Sequence, residues 1–139
     1  MMVILVLSLL PKVMQAQTPT KTDRWKQIES IKIGYLTKKL DLTTEESQKF
    51  WPVYNQYQHE LYKLTKQKKE AREQNAANPD QSIDDDFDFD TKILNHKKKY
   101  RIEFGKILSA EKVKTFYIAE RDFKEELIKQ LKNRSDNNQ

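Results

Sequence analysis

Two stretches of this chain carry the same phrase, Leu42-Thr43-Thr44-Glu45 and Leu108-Ser109-Ala110-Glu111, 66 residues apart. In each, an apolar anchor is followed by a hydroxyl and, two positions later, by an acid. Such a hydroxyl accepts a hydrogen bond from the open N–H groups of a starting helix, and the acid lies near the positive end of the helix dipole. Glu46 stands three residues after Thr43, the spacing at which an acid returns a bond to the cap. Local capping is therefore one complete explanation of the repeat. Leu42, Thr43, Glu45, Glu46, Leu108, Ser109 and Glu111 are its candidate residues.

A second chemistry attaches to the helix behind the first phrase. Phe50, Val53, Tyr54, Tyr57, Leu61 and Leu64 fall within about 60° of one line at helical spacing and predict a core stripe. Trp51, Gln58, Tyr62 and Lys69 lie about 80–120° from that line, with Lys66 just beyond. Aromatic rings interleaved with lysines on an exposed face can hold apolar and acidic segments of another protein. Trp51, Tyr62, Lys66 and Lys69 are thus candidate client-binding residues. The alternative for the two rings is packing against a neighbouring helix or a second copy of the chain. Lys97-Lys98-Lys99 and Arg101 add positive charge, but acids are interspersed throughout and nucleic acid is not the expected partner.

The remaining reactive side chains point to structure rather than catalysis. Glu120 projects into the apolar side of the last helix, where a carboxylate needs a partner, and Lys124 four residues on is expected to supply it. His59 falls opposite the core stripe and is expected in solvent, whereas His96 lies at the edge of an apolar side and is expected to pack there. The two histidines form no ligand pair and the chain has no cysteine, so no metal or other cofactor is expected. Counting an EF-hand loop from Asp84 puts Phe89 and Asn95 where Gly and Glu are required. No glycine-rich phosphate loop and no nucleophile elbow occurs, so no catalytic residue is assigned and an enzyme is not expected.

The elements that must position these residues are helical. With 2 Gly in 139 residues and 34% of them charged, there is little material for the turns of a many-stranded sheet. Periodicity predicts four helices. The first covers about 21–40, and the second starts at Thr43 and continues to about 74, roughly 48 Å, with Pro52 expected to kink it. A loop is expected over 75–90, where Asn-Ala-Ala-Asn-Pro precedes six Asp, the last of which start the third helix. The third helix carries Ile93, Tyr100, Phe104 and Ile107 on one side. The fourth, capped by Ser109, carries Val113, Phe116, Tyr117, Phe123, Leu127 and Leu131. Residues 133–139 contain no apolar side chain and are expected to be a disordered tail.

Residues 1–10 read MMVILVLSLL, followed by Pro11 and a polar exit at Gln15-Ala16-Gln17. Ten residues span about half of a bilayer core, so 1–16 is expected to be a cleaved signal peptide and 17–132 a single all-helical domain without a membrane span. Without the leader, about 32% of the chain is apolar and its net charge falls from +5 to +4. So thin an apolar fraction predicts long helices with a narrow buried seam, completed by a second copy as a homodimer.

The two phrases, together with Glu46-Ser47-Gln48-Lys49-Phe50-Trp51-Pro52-Val53-Tyr54 and Ala119-Glu120-Arg121-Asp122-Phe123-Lys124-Glu125-Glu126-Leu127, resemble the Spy/CpxP family of periplasmic proteins with paired Leu-Thr-x-x-Gln motifs. Signal, short helix, motif with long helix, third helix, second motif and final helix follow in the family's order. The motif glutamine is replaced by Glu46 in the first copy and Lys112 in the second. The resemblance implies an all-α, cradle-shaped, antiparallel homodimer in the periplasm that binds unfolded clients without ATP. One branch of that family is described as sensors linked to extracytoplasmic sigma factors. It implies an alternative role, a stress regulator that docks on a membrane sensor or an anti-sigma factor.

Overall fold

A computed structural model describes residues 20–136. The expected leader over 1–16 and residues 137–139 lie outside these. The chain forms four α-helices and, among the described residues, no strand. Helix α1 (Lys21–Leu40) opens at Thr20, whose hydroxyl accepts from the Asp23 amide at 3.2 Å while the Asp23 carboxylate accepts from the Thr20 amide at 3.1 Å. It closes at Asp41, whose φ of 44° lies in the left-handed region that Asp tolerates better than most residues. Helix α2 (Thr44–Gln74) contains Pro52 and opens with the reciprocal Thr43–Glu46 box anticipated from the spacing. Helix α4 (Ala110–Asp136) follows Ser109, whose hydroxyl accepts from the Lys112 amide at 3.3 Å.

Helix α3 (Pro79–Gly105) departs from the expectation of a loop over 75–90. Only 75–78 connects it to α2. Asn78 caps the Gln81 amide at 3.3 Å, and Pro79 occupies the first helical position, where its missing N–H costs nothing. The aspartates that suggested a loop face cations and amides instead. Asp86 and Asp90 take charge from Arg72 and Lys68 of α2 at 3.0 and 2.6 Å, and Asp85 accepts from Asn75 and Gln81. The end of α4 also differs, because it continues to Asp136 beyond the last apolar residue.

Helix α2 packs along α3 and α1 along α4, while α3 touches α4 more narrowly. The core where they meet is largely aromatic. Phe50, Tyr54 and Tyr57 from α2, Tyr100 and Phe104 from α3, and Phe116 from α4 are buried, with Leu36 and Leu40 of α1 sealing one end. Phe50 lies 5.4 Å from Phe104 and 5.7 Å from Phe116, and those two rings are 4.8 Å apart. Tilted and edge-to-face pairs of this kind contribute about 0.5–1.5 kcal/mol each beyond area burial. No helix among the described residues is long and apolar enough to cross a membrane.

Candidate functional site

The two helix layers leave a groove of about 710 Å³ between α1, α2 and α4. Its lining is mainly apolar, with Ile28 and Ile33 of α1, Leu61 and Tyr62 of α2, and Phe123 and Leu127 of α4, and Glu29, Asn55, His59 and Lys124 add polar groups. Phe123 and Leu127 sit one turn apart and so share one face of α4, while Ile28 and Ile33 line the groove from α1. Phe123 is braced by Tyr35, with ring centres 5.6 Å apart.

A polar floor crosses this groove. Glu120 forms an ion pair with Lys32 at 2.8 Å, accepts from the Gln58 amide nitrogen at 3.1 and 3.2 Å, and accepts from the Tyr54 hydroxyl at 3.4 Å. Three helices therefore converge on one carboxylate. The expected partner Lys124 is not the one used: it is exposed at the groove lip, while Lys32 reaches across from α1. The reason is packing direction, because Glu120 faces α1 and α2 and an i+4 lysine on its own helix points past it. Burial pushes the Tyr54 hydroxyl well above its ordinary pKa, and the nearby Glu120 charge adds to this. Tyr57 is raised for the same two reasons in the same order. Both remain neutral donors or packed rings at physiological pH.

The four candidate client-binding residues are not gathered at this groove. Tyr62 is 56% exposed and lines the groove. Trp51 is half-buried and packs into the core rings, 5.0 Å from Phe50 and 5.3 Å from Tyr54. Lys66 and Lys69 are exposed, lie near Glu70 and Glu73 one turn on along α2, and do not line the groove.

The two repeated phrases meet in space. Glu46 and Lys112, each three residues after its cap, form an ion pair at 2.7 Å, and Lys112 also donates to the Asp41 carbonyl at 2.8 Å. The Lys112 ammonium and the Thr43 amide hold the Glu46 carboxyl below its ordinary pKa. Leu108 is buried and Leu42 packs against the core, so both anchors reach the same cluster. Glu45 pairs with Lys49 at 2.7 Å, and Glu111 is exposed in the first turn of α4. The two positions that replace the glutamine of the Leu-Thr-x-x-Gln pattern are thus in contact with each other.

His96 is buried and stacks on Tyr57 at 5.0 Å with a 7° tilt. Its Nε2 lies 3.0 Å from the Tyr57 carbonyl and its Nδ1 3.4 Å from Glu60. Burial alone would raise the Glu60 carboxyl, but bonds from Tyr100 and Lys99 hold it below its ordinary value. His59 is exposed on the groove wall. Among the described residues no group of three His, Cys, Asp or Glu side chains is placed to hold a metal ion.

Sequence reasoning missed Lys32, one lysine among many with nothing in its spacing to single it out. Phe123 and Leu127 were visible as the apolar side of the last helix, but not as a groove wall. No protein-family model matches this chain, and neither a curated protein nor a solved structure matches it.

Proposed function

We propose that the protein is an exported, ATP-independent, chaperone-like binding protein of the Spy/CpxP type that holds unfolded segments of envelope proteins. The observation that carries this reading is the groove between α1, α2 and α4. It is open, mainly apolar and lined by side chains that the core does not fully cover. Its floor carboxylate already has Lys32, Gln58 and Tyr54 as partners, which suits a fixed support for a passing segment. The order of leader, paired phrases and helices supports the same family type and a periplasmic location.

The test is an aggregation assay on several unrelated unfolding proteins without nucleotide, run with the protein and with Tyr62→Ala/Leu127→Ala. Alanine keeps helix propensity, so circular dichroism should be unchanged. Losing two partly exposed apolar contacts costs the client complex about 1–2 kcal/mol, or roughly tenfold in affinity. Suppression that is broad and weakened in the variant is the expected result. Failure to suppress aggregation of any client, with tight stoichiometric binding to one envelope protein, would replace this reading with the stress-regulator alternative.

A further inference from the structure

A second groove, of about 560 Å³, opens between the end of α3 and the start of α4, a size that suits a small molecule. Its apolar surface comes from Leu108 and Val113, which are buried, from Ile102, which is 59% exposed, and from the half-buried Tyr117. Its charged residues are Arg101, Lys106 and Lys114, all exposed, and no Asp or Glu lines it. Lys106 is engaged by Glu103 at 2.8 Å. Arg101 and Lys114 form no ion pair among the described residues. Two cations thus stand over an apolar surface with no acid to answer them.

The groups that could read a sugar, a nucleobase or a peptide backbone are missing or already used. No Ser, Thr, Asn, Gln or His lines the groove. The Tyr117 hydroxyl donates to the Lys97 carbonyl at 3.0 Å. In the turn after Gly105, the amides of Lys106, Ile107 and Leu108 donate to the carbonyls of Glu103 and Phe104. What remains is positive charge beside hydrocarbon. The planar fork of an arginine matches a carboxylate or a phosphate, and the surface beneath favours an alkyl chain. We infer that the α3–α4 groove binds a single-chain anionic amphiphile, its head group on Arg101 and Lys114 and its chain on Ile102, Val113 and Tyr117.

A bilayer surface is a poorer match. Asp84 and Asp88 stand about five helical turns before Ile102 and Lys106, so they share the same lines along α3, and both are exposed. A flat anionic membrane laid along this helix would meet those carboxylates, whereas one molecule in the groove does not. The site shares no lining residue with the α1–α2–α4 groove, so its test stands whatever the aggregation assay gives.

The probes are dodecanoate and dodecyl phosphate, each titrated calorimetrically into the purified protein below the concentration at which it forms micelles. One saturable site per chain is expected, weakening as salt rises. Either head group supports the proposal, and the tighter one tells a fatty acid from a lysophospholipid as the source. Decanoate, shorter by two methylenes, should bind roughly tenfold more weakly than dodecanoate. Arg101→Gln/Lys114→Gln and Ile102→Glu, all at exposed positions where helix content should persist, should each weaken binding at least about tenfold. Amide shifts in NMR spectra should centre on residues 101–117. The proposal is overturned by a titration that does not saturate, by equal binding of dodecyltrimethylammonium, or by affinity indifferent to chain length or to these variants. Shifts centred on the α1–α2–α4 groove also overturn it. So does binding to phosphatidylglycerol vesicles without binding of the single-chain probes, which would make this face a membrane-docking surface instead.

Discussion

Glu120 is held by groups from two other helices, and removing any one of them asks whether the rest suffice. Its side chain is 14% exposed and that of Lys32 19%, so neither charge is fully hydrated and neither is fully dry. Breaking a buried ion pair from one side costs about 3–5 kcal/mol, and partial solvent access brings the expected cost of Lys32→Met to about 1–3 kcal/mol. Adding Glu120→Met to that variant should recover most of the loss, because two apolar chains then replace the stranded charge. Urea midpoints of the single and double variants decide this. An unchanged midpoint for Lys32→Met would mean that Gln58 and Tyr54 satisfy the carboxylate alone. The sequence made the need for a partner legible, since Glu120 falls on an apolar side. The partner itself was not legible: Lys124 lies at a spacing that can be counted, whereas Lys32 is brought near only by the packing of α1 on α4.

At the scale of elements, the helix starts were readable wherever the cap lies beside the residues it serves. Thr43 and Glu46 form their box within four residues, and Ser109 serves Lys112 within the same span. The start of α3 was hidden because aspartate is a poor helix former and a run of it resembles a loop. What overrides propensity is the facing surface of α2, where Lys68 and Arg72 neutralise Asp86 and Asp90. Exposed pairs of this kind contribute about 0.2–1 kcal/mol each, and here they act together on one segment. Lys68→Ala/Arg72→Ala should therefore weaken the first turns of α3 by about 1 kcal/mol, seen as roughly fivefold faster amide exchange over 80–90. Exchange around Tyr100 and Phe104 should change little, since that part of α3 is held by the core. Equal acceleration along the whole helix would show that α3 opens as a single unit, and that the ion pairs are not what fastens its beginning.

The core that closes the molecule holds as many rings as it does largely because of its tyrosines, and these give it an alkaline limit. The apolar stripes of α2, α3 and α4 were readable from periodicity, but their convergence on one aromatic cluster depends on how the helices cross, which spacing does not encode. Tyr100 and Tyr117 are each pushed up to about 12, in both cases first by burial. For Tyr100 the next contribution is the bond it donates to Glu60 at 2.9 Å, and for Tyr117 it is the charge of Glu120. Tyr54 and Tyr57 are shifted in the same direction. A folded pKa raised above the unfolded value of 10.0 means that the stabilisation is complete below pH 10 and is lost as pH rises toward the folded values. Because these four rings, three buried and Tyr117 half-buried, shift the same way, the losses add, and ionising one ring makes the others easier to expose. Helix content followed by circular dichroism should hold to about pH 10 and then fall cooperatively, with tyrosinate absorbance from these four rings rising in the same transition. Tyr117→Phe removes one of the four and should move the transition to higher pH. Helix loss beginning below about pH 9, or a transition that Tyr117→Phe leaves in place, would show that groups other than these tyrosines set the alkaline limit.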